Sequence, residues 1–196
     1  MKVIAIIPAR GGSRRLKNKN IYPVLKKPMI EYSINACRDS KYNIEVWVST
    51  DSENIKNVAR NLNANIHNRS KTLSGDKIYK QAVIRDAADY INNNTRLNID
   101  ETIFLSIQAN SPTITNKEID DCIDALVEFN RDEIISVDNN LMQDASIRAF
   151  MGNYVFQKDL STNCGVVITN LHDVHTSKDV KIVEKILLDR KLGVTS

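Results

Sequence analysis

An unbroken apolar run, Val3-Ile4-Ala5-Ile6-Ile7, is closed by Pro8 and reads as a buried strand. The loop after it runs Ala9-Arg10-Gly11-Gly12-Ser13-Arg14-Arg15-Leu16-Lys17-Asn18-Lys19-Asn20. It holds two adjacent glycines, a serine and five cations: Arg10, Arg14, Arg15, Lys17 and Lys19. Glycine lets a backbone approach a ligand and present consecutive N–H groups to an anion. Arg adds a planar donor fork for phosphate oxygens, and Lys adds a point charge. Such a loop after the first strand of an α/β sheet lies where those sheets bind ligands. The stretch points to polyphosphate, and the plain alternative is a solvated basic loop. At about a dozen residues it exceeds the usual βα connection. Two standard phosphate motifs are excluded, because neither G-x-x-x-x-G-K-[ST] nor a helix-opening G-x-G-x-x-G occurs.

The rest of the composition narrows the class of ligand. A net charge of +3 over 196 residues is too small to argue for nucleic acid. Part of the basic excess sits in the first loop, which favours a small anion over a long polyanion. Cys37, Cys122 and Cys164 are far apart and odd in number, unlike a disulfide framework or a zinc-finger spacing. Cys37 and Cys122 fall on apolar helix faces and read as buried thiols. The first apolar run is too short for a leader, and no stretch is long enough to span a bilayer. A cytoplasmic protein without a membrane partner is expected.

Strand and helix patterns alternate along the chain. A helix from Pro28 to about Ser40 buries Ile30, Ile34 and Cys37. Ile44 to Ser49 is a second strand, and Ile55, Val58, Ala59 and Leu62 mark the next helix. A short strand near Ala64 to His67 leads to the polar segment Asn68 to Asp76, then to a helix from about Lys77 to Asn92. Thr102 to Ile107 is a buried strand, and Thr115-Asn116-Lys117-Glu118 is a capping box for a helix with Ile119, Cys122, Ile123 and Leu126 inward. Ile134 to Val137 is a strand. Extended pieces at Ile147 to Phe150 and Tyr154 to Gln157 flank Gly152-Asn153 and suggest a hairpin. Gly165 to Thr169 is a last strand, and a final helix starts after Thr176. The pattern is that of one α/β domain over residues 1–196, a three-layer α/β/α sandwich with a mainly parallel sheet. Residues of about 139–163 read as a short insertion carrying the small hairpin. Polar groups at three strand ends, the basic loop, Gln108 to Ser111 and the segment around Asp173, would meet at one cleft.

Ile6-Ile7-Pro8-Ala9-Arg10-Gly11-Gly12-Ser13, followed by Lys17-Asn18-Lys19-Asn20, resembles the opening of the acylneuraminate cytidylyltransferases, the CMP-sialic acid synthetase family. Pro28-Met29-Ile30-Glu31-Tyr32-Ser33-Ile34 is similar to that family's first helix, and Val48-Ser49-Thr50-Asp51 to its second strand end. Gln108-Ala109-Asn110-Ser111-Pro112 is similar to its Q-P-T-S-P turn. The resemblance implies a Rossmann-like nucleotidyltransferase that couples CTP to an acidic α-keto sugar, with pyrophosphate as the second product. It implies a divalent cation, usually Mg²⁺ with Mn²⁺ as the alternative, and an inserted arm that would serve a homodimer. By position, the stretch Ala9 to Ser13, with Arg10, Ser13 and the Gly11-Gly12 backbone foremost, would hold the CTP phosphates. Arg10 and Lys19 would act on the reacting phosphate, with Asn20 beside them. Arg69, Ser74, Gln108, Asn110 and Ser111 would line the cytidine and sugar side.

Three departures from the family pattern bear on the acceptor and the metal. The Asp-x-Asp-Thr motif appears as Asp173-Val174-His175-Thr176, so Asp173 keeps the first metal position and His175 replaces the second. Mg²⁺ prefers oxygen, whereas Mn²⁺, Co²⁺ and Zn²⁺ accept imidazole more readily. Where the family has Asn-Gly before a late strand, this chain reads Asn163-Cys164-Gly165; either Asn163 serves the sugar one residue early or Cys164 takes the place. Ser111-Pro112-Thr113-Ile114 lacks the Arg that normally ends the turn. An octulosonate cytidylyltransferase, or another sugar nucleotidyltransferase, keeps the fold and changes the substrate. A catalytically weak CTP-binding protein keeps the cleft alone.

Overall fold

The computed structural model describes residues 1–193. The first apolar run is strand β1 (Lys2–Pro8), and it lies in the middle of a seven-stranded sheet. Its side chains alternate between two cores: Val3, Ala5 and Ile7 face one, Ile4 and Ile6 the other. Burial on both faces is the reason the run carries no polar residue. Each fully buried isoleucine contributes about 1.5–3 kcal/mol relative to exposure.

Two short strands, β2 (Pro23–Val24) and β3 (Lys27–Pro28), form a separate ribbon before helix α1 (Met29–Arg38). The main sheet adds β4 (Ile44–Thr50), β5 (Asn65–Asn68), β6 (Thr102–Ile107), β7 (Glu133–Val137), β8 (Gln143–Met151) and β9 (Cys164–Ile168). The spatial order is β5-β4-β1-β6-β8-β7-β9. All pairings are parallel except those of β8, which runs against both β6 and β7. Helices α1, α2 (Glu53–Asn61) and α4 (Asn116–Glu128) cover one face. Helix α3 (Lys80–Thr95) and a 3-10 turn, Gly152–Phe156, cover the other. The three-layer α/β/α arrangement with a mainly parallel sheet is as the alternation predicts. Cys37 and Cys122 are buried in the first core, and burial pushes the Cys37 thiol up to about 12.

Two local differences have clear causes. The expected hairpin around Gly152-Asn153 does not form. Residues 143–151 are one continuous strand, and the residues after Gly152 wind into the 3-10 turn that seats Val155 in the second core. The antiparallel hairpin is one step earlier, β7 to β8, turned by Asp138, whose carboxylate accepts from the N–H groups of Asn140 and Met142. Helix α3 begins at Lys80 and not at Lys77, because Tyr79 is extended and a turn from Gly75 to Ile78 precedes it. Helix α5 (Ser177–Lys191) starts at a second capping box, Thr176 with Asp179. It packs Val180 and Val183 against Leu16, Val24, Met29 and Val174, which ties the basic loop to the far end of the chain.

Candidate active site

The basic loop is held open by its own polar groups. Asn18 is left-handed (φ 56°), which turns the chain into a 3-10 turn over Lys19–Ile21. From that turn the Asn20 amide donates to the Arg10 carbonyl at 3.0 Å and closes the loop. Gly12 needs its glycine for backbone conformation (φ +67°), since nothing among the described residues crowds the position of a Cβ. Gly11 needs it for space, because a Cβ would lie 3.2 Å from that of Ser52. The Gly11 N–H already donates to Asp51 at 2.8 Å, so it positions the loop and is not available to an anion. Asp76 lies between two arginines, touching Arg10 and pairing with Arg14 at 2.5 Å. Those arginines hold its carboxyl below the usual range. A carboxylate bridging two guanidinium groups occupies the kind of position that phosphate oxygens take.

A cleft of about 610 Å³ opens at the carboxyl ends of β1, β5 and β6. The loop side supplies Arg10, Ser13, Lys19 and Asn20, and Arg69 enters from the end of β5. Burial lowers the Lys19 ammonium, with Asp173 opposing and Arg10 and Arg15 adding to the shift. The far side is assembled from distant segments. Lys80, first residue of α3, donates to Gln108 Oε1 at 3.2 Å and to the Ala145 carbonyl. Ala145 can offer that carbonyl because β8 is bulged there, with Ala145 at φ 61° and a register shift opposite Ile135 and Val137. Burial brings Lys80 down to about 8, against the pull of Asp173. Gln108 Nε2 and the Ser111 hydroxyl both donate to the Asp173 carboxylate. Burial raises the Asp173 carboxyl; the Ser111 bond, His175 and Lys80 oppose the shift.

Most of the residues expected from the sequence converge here, in two tiers. Arg10, Ser13, Lys19, Asn20, Arg69, Gln108, Asn110 and His175 line the cleft. Ser111 is fully buried and orients Asp173 from behind. Asn110 exchanges hydrogen bonds with Val174 (3.0 and 2.8 Å), which brings the segment carrying Asp173 and His175 back to the end of β6. Ala9 is buried, and its N–H donates to the Ser49 carbonyl at 2.9 Å. Ser74 closes a turn on the Ser70 carbonyl at 2.9 Å and does not line the cleft.

Asn163 is not brought to the site. It precedes β9 at the amino end, and β9 runs parallel to β7 and so to β6. This places it at the sheet edge away from the cleft, where it bonds Arg131, Asp132 and the Asn130 carbonyl. Cys164, the alternative for that role, shares the location. Sequence reasoning missed Lys80 and Asp76. Their only signal was a basic and an acidic residue in a polar stretch leading into a helix, which is ordinary for a solvated segment.

The donor set bears on the implied metal. Among the described residues no group of three or more His, Cys, Asp or Glu is placed to hold a cation. His175 lines the cleft, whereas Asp173 does not line it and reaches it only through the lining residue Gln108; both Asp173 oxygens already accept hydrogen bonds. Mg²⁺ is commonly held by one or two carboxylates plus substrate phosphates and water. The residues therefore fit a cation carried on nucleotide phosphates, not one caged by the protein alone.

The chain is similar in sequence and in fold to known proteins. The N-acylneuraminate cytidylyltransferase of Oncorhynchus mykiss is 32% identical over 135 residues, 69% of this chain and 30% of that protein. The pseudaminic acid cytidylyltransferase of Campylobacter jejuni is 40% identical over 98 residues, 50% of this chain and 42% of the relative. The matches thus span less than half the length of these curated relatives. A solved CMP:2-keto-3-deoxy-manno-octonic acid synthetase complexed with CTP is similar in fold, with a TM-score of 0.78 over 97% of this chain and 100% of that one. At 14% identity that likeness speaks for the fold alone. A family model described as cytidylyltransferase matches residues 4–186, a range that takes in the basic loop, Arg69, Lys80, Gln108 and Asp173. On that match, which covers both sides of the cleft, the chain belongs to the cytidylyltransferase family.

Proposed function

We propose that this chain transfers CMP from CTP to an acidic α-keto sugar, a sialic acid or related nonulosonic acid, and releases pyrophosphate. The observation that carries the proposal is a single cleft that gathers Arg10, Lys19, Arg69 and Lys80 at the strand ends. A triphosphate and a carboxylic acid together demand more positive charge than a neutral ligand would. The relatives named for acylneuraminic and pseudaminic acids favour this acceptor class.

In the proposed reaction the anomeric hydroxyl of the sugar attacks the α-phosphorus. A C–O–P bond forms, the bond from the α-phosphorus to the bridging oxygen breaks, and pyrophosphate leaves with that electron pair as the hydroxyl proton is released. The protein's work is positioning and charge stabilisation. Arg10 takes phosphate oxygens once Asp76 releases it. Lys19, partly desolvated, balances charge that develops at the reacting phosphate. Lys80 places a cation between β6 and β8, away from the loop, where it matches the acceptor carboxylate. A divalent cation would be held by Asp173 and His175 beside the phosphates, and would supply charge neutralisation on the triphosphate.

The test is pyrophosphate release with CTP and a panel of acidic α-keto sugars, octulosonate included, run with Mg²⁺ and with Mn²⁺. Release that requires CTP and one nine-carbon acceptor is expected. Release with octulosonate alone would move the chain to the neighbouring specificity. Binding of CTP without release under either metal would leave only the binding role.

A further inference from the structure

Behind Arg69, on the side away from the cleft, lies a Ser-His-Asp series that the proposed reaction does not use. Ser49 Oγ is 3.0 Å from His67 Nδ1, and His67 Nε2 is 3.3 Å from Asp86 Oδ2. Ser49 is fully buried and bonded through Nδ1, so it is not an exposed nucleophile of the hydrolase kind. What it touches instead is Arg69. The Arg69 Nε donates to Ser49 Oγ at 3.4 Å, and Nη2 donates to the Ser49 carbonyl at 2.7 Å. The same carbonyl accepts from Ala9 at the root of the basic loop. Arg69 is thereby tied to the loop while its remaining donors are left for the cleft it lines.

The donors and acceptors in this series permit one orderly arrangement. An arginine Nε–H can only donate, so Ser49 Oγ accepts from it. The hydroxyl proton of Ser49 then goes to its other partner, His67 Nδ1, which must carry a lone pair. His67 therefore holds its proton on Nε2 and donates it to Asp86. We infer that neutral His67 is a positioning residue, whose Nδ1 lone pair sets the Ser49 hydroxyl that fixes Arg69 in the nucleotide cleft. Protonation at Nδ1 would aim two donors at Ser49 Oγ, leave the hydroxyl proton without an acceptor, and set an imidazolium beside a guanidinium.

The groups facing His67 are Asp86 and the Tyr90 ring from α3, Ser49 from β4, and Arg69 beyond the end of its own strand. Asp51 and Arg10 act in turn on Arg69. Burial and Arg69 lower the imidazole below its ordinary range, and Asp86 opposes them. The neutral form thus prevails at pH 7, and nucleotide affinity falls as pH drops through the titration of His67.

This inference rests on the cleft being a nucleotide site, and the experiment separates the two. Calorimetric titration of the protein with CTP from pH 8 down to pH 5 is compared with His67→Leu, His67→Asn and Asp86→Asn, each checked by thermal melting. His67→Leu should weaken CTP about tenfold at pH 8, the loss for one buried polar partner. His67→Asn, whose Oδ1 can replace the Nδ1 acceptor, should recover most of that loss and abolish the His67-dependent acid limb. Asp86→Asn, a change at a half-exposed side chain, should move the acid limb to lower pH. ¹⁵N shifts of the imidazole should show the proton on Nε2 at pH 8. Parent-like affinity in His67→Leu, or an unchanged acid limb in both other variants, would overturn the inference while leaving the nucleotide site intact. A parent that binds no CTP would overturn the site and the inference together.

Discussion

The two sides of the cleft are built on opposite plans. The loop side is local: Arg10 to Asn20 form one short stretch, shaped by two glycines and closed by Asn20 on Arg10. Its arginines are partly exposed and shared with the Asp76 carboxylate. The far side is non-local. Lys80, Gln108, Ala145 and Asp173 come from α3, the residue after β6, β8 and the segment before α5, and their polar groups satisfy one another at half-buried positions. A charged loop can exchange partners at small cost because water screens it. A buried network cannot, since each unpaired group loses its full solvation. Under the proposed function, the loop side would catch and release the polyanion and the far side would discriminate the acceptor.

Three substitutions test that contrast, and the largest effect is expected where chemistry is nearest. Lys19→Ala should lower kcat by about 100- to 1,000-fold, the scale for loss of one donor to transition-state charge. Circular dichroism should show the fold intact, because Lys19 closes no ion pair among the described residues. Unchanged turnover would remove it from the mechanism. Lys80→Met keeps an unbranched side chain, one atom shorter, and removes its charge. KM for the acidic acceptor should rise about 10- to 100-fold, as for truncation of a buried charge partner, with CTP affinity nearly constant. An equal loss for CTP would mean that Lys80 serves the phosphates and that the two sides share one task. Asp76→Asn should give the smallest change, tightening CTP by about fivefold at low salt, since water screens an exposed pair and leaves it weak. That gain should fade as salt is added. Weaker binding would show that Asp76 orders the arginines for the nucleotide and does not compete with it.

The same contrast governs what could be read before the structure. The loop was legible because its chemistry is written in consecutive residues: glycines where φ or space demands them, and cations beside them. Gln108, Asn110 and Ser111 were legible as a turn at a strand end, although Ser111 proved to support Asp173 from behind and not to line the cleft. Asn163 was misplaced because its position relative to the site depends on the direction of β9, which one sequence segment does not carry. The Gly152-Asn153 hairpin failed for a related reason. A Gly-Asn pair favours a tight turn locally, but burial of Val155 in the second core decided for a 3-10 turn.

The sequence by itself determined the α/β alternation, the burial of β1, both helix starts at Thr115 and Thr176, and the cationic character of the first loop. These rest on periodicity, capping chemistry and local charge, all properties of neighbours in the chain. Only the tertiary structure decided that β8 runs antiparallel inside the sheet and that its bulge offers a carbonyl to Lys80. It alone set His67 and Asp86 behind Arg69. Those contacts join residues far apart in sequence, and their partners are selected by packing and desolvation, which act only once the layers have closed.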